Sequence, residues 1–280
     1  MCDCISKRKD LCCGTGVVLS NEQIGESTWK VAWEAKEFAQ LAKPGQFVML
    51  RLPNSADPVL GRPFAIFDAD PETGKVEAVY AVVGKATTKL TNVRVGEQLE
   101  YWGPLGNGWC AADRVNAPKR LILVAGGVGC APFYMLVKKL TTDPNAPKTT
   151  YVFGARSAAR AICVDDFERL GADVRLATED GSRGVKGFVT NVLPELFDAD
   201  LDPADVQVLA CGPSPMLRAV AKWCAEKGCE CWTSLESPMA CGMGICFSCV
   251  VDWKTDDGTW DYKRTCVDGP VFDAARLKWD

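Results

Sequence analysis

The chain has 280 residues, a formal net charge of −4, 15 cysteines and no histidine. That length accommodates two cored domains and an appendage, and an acidic balance without a face-long basic run excludes a nucleic-acid partner. The missing imidazole excludes Ser-His-Asp and Cys-His catalysis, a Rieske centre and histidine-ligated haem, so any chemistry must lean on a cofactor.

The start MCDCISKRKD lacks the apolar core of a signal peptide, and no apolar run reaches about 18 residues. No membrane partner is expected, the location is expected to be cytoplasmic, and the cysteines are expected as thiols rather than bridges. Residues 1 to 13 carry Cys2, Cys4, Cys12 and Cys13 in a polar, aperiodic setting and read as a disordered tail. A second metal site there competes weakly, because C-x-C and C-C are not familiar ligand spacings.

Residues 14–115 read as six short strands, GVVLS, TWKVAWEA, QFVMLRL, RPFAIFDAD, KVEAVYAVV and EQLEYWG, with turn chemistry at Lys43-Pro44-Gly45 and Pro71-Glu72-Thr73-Gly74. Strands without long helices between them predict a small antiparallel barrel. After the linker-like AADRVNAPKR, residues 116–233 alternate strand and helix: RLILVAGG, TTYVFGAR, ADVRLATED and DVQVLACG are separated by helical stretches such as PSPMLRAVAKWCAEKG. That alternation predicts a parallel sheet covered by helices. CECWTS offers a last strand before residues 234–280.

Gly126-Gly127-Val128-Gly129 stands at a strand-to-helix turn, where small residues admit a pyrophosphate to the backbone and the helix N-terminus favours its charge. The full G-x-G-x-x-G spacing is absent, and a merely tight turn remains an alternative. Cys211-Gly212-Pro213 follows a later strand, so it should face the same crevice; a capped helix start is the alternative there. In the barrel, Gly61-Arg62-Pro63-Phe64-Ala65-Ile66 puts a positive charge at a strand start. Gly84-Lys85-Ala86-Thr87-Thr88 offers N–H groups, hydroxyls and a lysine to a phosphate group.

Near the C-terminus, Cys241, Cys246 and Cys249 form a C-x4-C-x2-C run that Cys266 completes after sixteen residues, the plant-type spacing for a [2Fe–2S] cluster. Gly242 and Gly244 allow the backbone to curl around an inorganic core. Zinc and a plain apolar core compete, but zinc sites usually show two short-spaced pairs and Cys266 stands alone. The long gap is assigned to a hairpin with its tip in WKTDDGTW. Met239, Met243 and Phe247 are expected beneath the cluster, with a partner interface as their alternative place.

The order of these motifs resembles the ferredoxin–NADP reductase superfamily, and with the CGMGICFSC loop the chain is similar to the electron-transfer subunits of NAD-dependent (type B) dihydroorotate dehydrogenases. SLESPMACGMGICFSCVV and GPLGNGW carry the resemblance most specifically, and it runs from Gly14 to the C-terminus. It implies an α+β multidomain fold: an antiparallel β-barrel flavin domain, an α/β parallel-sheet nucleotide domain and a small C-terminal [2Fe–2S] domain. FAD is implied at Arg62, Pro63, Phe64 and Ala65, at the strand Val79, Tyr80, Ala81, and at Ala86 and Thr87. The pyridine nucleotide is implied over Gly126, Gly127, Val128 and Gly129 and near Cys211, Gly212 and Pro213. Cys241, Cys246, Cys249 and Cys266 match the cluster ligands. Ala65 and Ala86 stand where the family commonly has Ser and Gly, which leaves flavin hydrogen bonding there to the backbone.

By the same resemblance no residue here is catalytic toward dihydroorotate. In the family, electrons leave that substrate at an FMN in a separate catalytic subunit, cross the cluster to FAD and reduce NAD+, serving pyrimidine biosynthesis, in heterotetramers of two copies of each subunit. A reductase feeding an oxygenase, a hydrogenase or ferredoxin is the alternative; Cys241 argues against the bifurcating version, where an aspartate commonly stands first. A cluster-bearing redox sensor would leave the flavin and nicotinamide loops unused. The resemblance favours NAD, whereas Arg156 leaves NADP open.

Overall fold

The computed structural model describes residues 10–53, 57–109, 118–197 and 201–279. Strands β1 (Cys12–Gly25), β2 (Thr28–Glu34), β3 (Phe47–Arg51), β4 (Arg62–Ala69), β5 (Lys75–Ala81) and β6 (Gln98–Leu105) close into a barrel in the order β1-β2-β5-β4-β3-β6. Every pairing in it is antiparallel. Closure is driven from inside: Val18, Val31, Trp33, Val48, Ile66, Ala78 and Leu99 are each fully buried in one cluster. The turn after β4 forms as its residues predict, with Gly74 donating to the Asp70 carbonyl at 2.8 Å and Thr73 Oγ1 to the Asp70 carboxylate at 2.7 Å. Two short helices, α1 (Lys36–Leu41) and α2 (Lys85–Leu90), interrupt the barrel strands.

The expected tail ends earlier than residue 13. Cys12 and Cys13 open β1 and pair with Gly103 and Trp102 of β6, because that pairing closes the barrel. Burial pushes the Cys12 thiol up to about 12, with the Glu37 charge adding to it. Cys2 and Cys4 lie outside the described residues, as does most of the linker-like AADRVNAPKR.

The second half is a seven-stranded sheet in the order β10-β9-β8-β7-β11-β12-β15. Its strands are β7 (Arg120–Gly126), β8 (Lys148–Ala155), β9 (Asp173–Thr178), β10 (Val185–Lys186), β11 (Val206–Cys211), β12 (Glu230–Ser234) and, beyond the hairpin β13 (Val250–Lys254)–β14 (Trp260–Arg264), β15 (Val271–Asp273). Helices α3 (Ala131–Thr142), α4 (Val164–Arg169), α5 (Val189–Val192) and α6 (Ser214–Lys227) cover it. β7, β8 and β11 are near-continuous apolar runs, as a sheet clad on both faces demands. The last stretch is less separate than residues 234–280 suggested: β15 pairs antiparallel with β12, and Ala274 and Trp279 pack into the sheet's core.

One short segment, Gly103 to Trp109, ties barrel, sheet and cluster loop together. Asn107 donates Nδ2 to the carbonyls of Val267 and Asp268 at 3.0 and 3.2 Å, and its N–H to the Gly269 carbonyl at 2.6 Å. Two residues on, the buried Trp109 takes its N–H to Pro44 of the barrel at 3.0 Å and its indole N–H to Pro132 of α3 at 2.9 Å. Its ring stacks on Phe133 with centroids 4.9 Å apart. Ion pairs such as Lys30–Asp166 at 3.2 Å and Lys138–Asp68 at 3.0 Å also cross between the halves, but half-exposed pairs of this kind contribute little. Trp109→Ala is expected to cost about 3–5 kcal/mol, the usual loss for a buried tryptophan, measured as a lowered denaturant midpoint.

Candidate functional site

A cleft of about 530 Å³ opens between the barrel and the parallel sheet, within the range that holds an organic cofactor. One wall is the barrel. Arg62, Pro63, Phe64 and Ala65 begin β4, and Val79, Tyr80 and Ala81 end β5; all line the cleft, as do Ala86 and Thr87 at the start of α2. The antiparallel register of β4 on β5 is what brings these two stretches side by side.

The side chains divide the work differently from the sequence reading. Arg62 donates to the carbonyls of Leu60 and Gly61 at 2.8 and 3.1 Å and makes no ion pair among the described residues, so its charge stays available to an anion. Tyr80 donates its hydroxyl to Asn21 Oδ1 at 3.0 Å and packs its ring edge-to-face with Phe64, centroids 5.8 Å apart, so it serves the cleft as a wall. Thr87 Oγ1 is used by its own loop, accepting from the N–H groups of Val83 and Gly84 at 3.0 and 3.1 Å. Lys85 is paired with Asp57. The hydroxyl and ammonium expected to meet a phosphate there are therefore engaged, and the first-turn N–H groups of α2 are what remains.

The opposite wall is the sheet. β7 and β11 are parallel neighbours with Ala125 opposite Cys211, so their following turns abut. A β-carbon on Gly129 would lie 2.3 Å from the Cys211 carbonyl oxygen, and one on Gly126 would lie 2.8 Å from Met216 Sδ. Those two glycines are small because the two turns close on each other. Gly127 differs: with φ +56° it faces open space, and it begins the Gly127–Cys130 turn that leads into α3. Of this set Val128 and Cys211 line the cleft, whereas Gly126, Gly127, Gly129, Gly212 and Pro213 stand around it.

Sequence reasoning missed a third wall, Ser234 to Met239. Glu236 is the acidic residue of the lining; solvent touches it through the open cleft, yet the protein around its carboxyl raises it above the usual range. Ser237 Oγ is buried without a hydrogen-bond partner, a donor left for a bound group. The available signal was the polar SLES between a predicted strand and the first cluster cysteine.

That wall runs directly into the cluster loop. Gly242 and Gly244 have φ of 72° and 81° and Phe247 of 55°, which curls the loop as its glycines predict. Two of the four thiols meet directly, Cys249 Sγ lying 3.2 Å from Cys266 Sγ, while Cys246 Sγ lies 3.2 Å from Ser248 Oγ. Among the described residues no three His, Cys, Asp or Glu side chains are disposed around a single ion; a C-x4-C-x2-C run with one distant cysteine suits a two-iron core with two ligands per iron better than one zinc. Hydrogen bonds from Ser248, then from Cys241, lower the exposed Cys246 thiol to about 6, and burial raises Cys266 to about 12. Met243 N–H points at Cys241 Sγ at 3.3 Å, and Thr265 Oγ1, next to Cys266, is buried without a partner. This donor set fits a [2Fe–2S] cluster. Met49, Phe47 and Leu105 of the barrel floor it, with Met239 and Met243 against them. Phe247 is 61% exposed rather than beneath the thiols, held over by the Arg264 guanidinium at 5.1 Å. The hairpin tip falls as expected at Thr255–Thr259.

Comparison with known proteins agrees with this arrangement. The iron-sulfur cluster binding domain of dihydroorotate dehydrogenase B matches residues 236–278, and the oxidoreductase NAD-binding domain matches residues 123–222. The dihydroorotate dehydrogenase B (NAD(+)) electron transfer subunit of Fusobacterium nucleatum is 35% identical, covering 93% of this chain and 96% of its own length. The chain belongs to this electron transfer subunit family. The homologous subunit of Geobacillus kaustophilus is equally similar, 35% identical over 93% of this chain and 96% of that one. Among solved structures, the NADH-dependent reduced ferredoxin-NADP oxidoreductase studied for flavin-based electron bifurcation is 30% identical with a TM-score of 0.80, covering 95% of this chain and 90% of that one. A Neisseria gonorrhoeae ferredoxin NADP+ reductase shares the fold at 15% identity and a TM-score of 0.66, over 77% of this chain and 92% of that one. As a member of the electron transfer subunit family the chain is an oxidoreductase component with FAD, NAD and a [2Fe–2S] cluster as cofactors. No helix among the described residues is long and apolar enough to cross a membrane.

Gly129→Ala is expected to force the two nucleotide-side turns apart, costing about 1–3 kcal/mol as overpacking does and raising KM for the nucleotide. Thermal melts and NADH-dependent dye reduction check both effects.

Proposed function

We propose that this chain carries electrons between an FMN-containing dihydroorotate dehydrogenase catalytic subunit and NAD+, in a cytoplasmic heterotetramer of two copies of each subunit. The observation that carries this reading is continuity: one segment, Ser234 to Cys241, first lines the cofactor cleft and then begins the cluster loop, and Met239 touches both. The flavin supplies the exchange between a two-electron hydride and the single electrons an iron–sulfur centre handles.

The chain's own residues hold and insulate. Arg62 offers its free charge to the flavin's phosphates, the strand segments Pro63 to Ala65 and Val79 to Ala81 wall its ring with backbone and apolar groups, and the first turn of α2 at Ala86 supplies N–H groups. Val128 and Cys211 close the nucleotide side, with Gly126, Gly127, Gly129, Gly212 and Pro213 admitting a pyrophosphate to the backbone. Cys241, Cys246, Cys249 and Cys266 ligate the cluster over an apolar floor that keeps water from it. NAD is favoured over NADP by the 35% identical relatives, which are NAD(+) dihydroorotate dehydrogenase B electron transfer subunits, while Arg156 makes no ion pair among the described residues.

A reductase serving another partner, such as ferredoxin, is the second reading, drawn from the 30% identical oxidoreductase structure. Co-expression separates them. The chain is expected to co-elute with an FMN-bearing dihydroorotate dehydrogenase and to reduce NAD+ with dihydroorotate only in that complex; separate elution, with reduction of ferredoxin alone, supports the second reading. Initial rates with NAD+ are expected to exceed those with NADP+ by at least about tenfold in kcat/KM, a difference of about 1.4 kcal/mol. Cys266→Ser is expected to lose most bound iron and its EPR signal on reduction while flavin content stays unchanged, since the flavin wall contains none of the four thiols.

A further inference from the structure

One side chain of the cluster loop bonds to a ligand sulfur without being a ligand itself. Ser248 lies in the run Cys246-Phe247-Ser248-Cys249, and its Oγ stands 3.2 Å from Cys246 Sγ. The same oxygen accepts the N–H of Ala240, the residue before Cys241, at 3.2 Å. Ser248 therefore spans the loop: it is held at the loop's start and set against a sulfur further along. Between Cys246 and Ser248 stands Phe247 with φ 55°, in the left-handed region that a β-carbon disfavours. Strain of that kind costs about 1–3 kcal/mol and persists where surrounding contacts enforce it. Here the Arg264 guanidinium lies over the Phe247 ring at 5.1 Å and donates Nη1 to the Gly244 carbonyl at 3.0 Å.

The protons fix the direction of the bond to sulfur. A free thiol can donate to a hydroxyl, but a thiolate bound to iron has no proton and only accepts. The serine hydroxyl has one proton to give, and the Ala240 N–H occupies only one of the oxygen's lone pairs. Reduction puts one electron on the cluster and adds negative charge to its sulfurs, so a donor set against a sulfur bonds the reduced state more strongly than the oxidised one. Exposure sets the size of the effect. Cys246 and Ser248 are both exposed, so water competes for the sulfur and the bond counts for less than a buried charge-assisted one. A competing water lacks the Ala240 anchor and loses more freedom when it binds.

We propose that Ser248 sets the reduction potential of the [2Fe–2S] cluster, its hydroxyl donating to Cys246 Sγ and raising that potential. The proposal rests on the assignment of Cys246 as a ligand. Acting through that sulfur, Ser248 is a positioning residue: it makes the cluster a better one-electron acceptor and a weaker one-electron donor.

The test is an anaerobic redox titration of the purified protein with its cofactors, the cluster followed by EPR and the flavin by absorbance. Ser248→Ala is expected to lower the equilibrium constant for one-electron reduction of the cluster about fivefold, about 41 mV at about 59 mV per tenfold. Iron content is expected to be kept and the flavin midpoints to stay in place, because Ser248 is not part of the cleft lining. Ser248→Thr keeps the hydroxyl and is expected to stay within about twofold of the unsubstituted protein. A Ser248→Ala change smaller than about twofold or in the upward direction, an equal fall in Ser248→Thr, or parallel movement of the flavin midpoints overturns the proposal. Loss of iron from Ser248→Ala also overturns it, since the hydroxyl then serves only to hold Ala240. An unsubstituted protein with no [2Fe–2S] signal on reduction is a separate failure, that of the ligand assignment, and takes the proposal with it.

Discussion

The arrangement of this molecule depends on the anchoring of Gly103 to Trp109. Trp109 is bound through its backbone to the barrel and through its indole to α3, while Asn107 holds three successive carbonyls of the segment after Cys266. Just upstream, Trp102 donates its indole N–H to the Cys241 carbonyl at 3.0 Å. Seven residues thus set the positions of the barrel wall of the cleft, the start of α3 and the segment after Cys266 relative to one another. The constraint is geometric before it is energetic: each bond is worth about 1 kcal/mol, but together they leave the three parts few ways to move.

From that constraint follows the economy of the site. The cleft needs no dedicated domain, because it is the gap left where barrel, sheet and the Ser234–Met239 segment meet. The cluster needs no separate core, because its buried thiols rest on Phe47, Met49 and Leu105 of the barrel. Moreover, β15 returns the chain to the sheet by pairing with β12, so the loop is pinned at both ends. An electron carrier benefits from such pinning, since transfer between redox groups depends on their separation being held.

The glycines of the nucleotide side show how one residue type serves two ends. Gly129 has no room for a side chain because the Cys211 carbonyl is against it, whereas Gly127 looks into open space. The first secures the contact between two turns, and the second leaves its backbone uncovered. The tight-turn reading of the GGVG motif describes Gly126 and Gly129. A similar division appears in the lysine- and threonine-rich loop at α2, whose polar side chains are spent on capping and on Asp57.

The amino-acid sequence by itself determined the barrel's strands, the strand and helix alternation, the hairpin at Asp257-Gly258 and the cysteine spacing, because periodicity, turn chemistry and ligand spacing are local properties. It also named most of the barrel-side cleft lining, which lies within two adjacent strands. Only the tertiary structure decided that Cys12 and Cys13 belong to the barrel, that β15 joins the sheet, that Thr87 and Lys85 are already engaged, that Phe247 faces solvent, and that Glu236 and Ser237 face the cleft. Each of those depends on a partner distant along the chain, and a hydrogen bond or a packed face between distant residues leaves no local pattern to read.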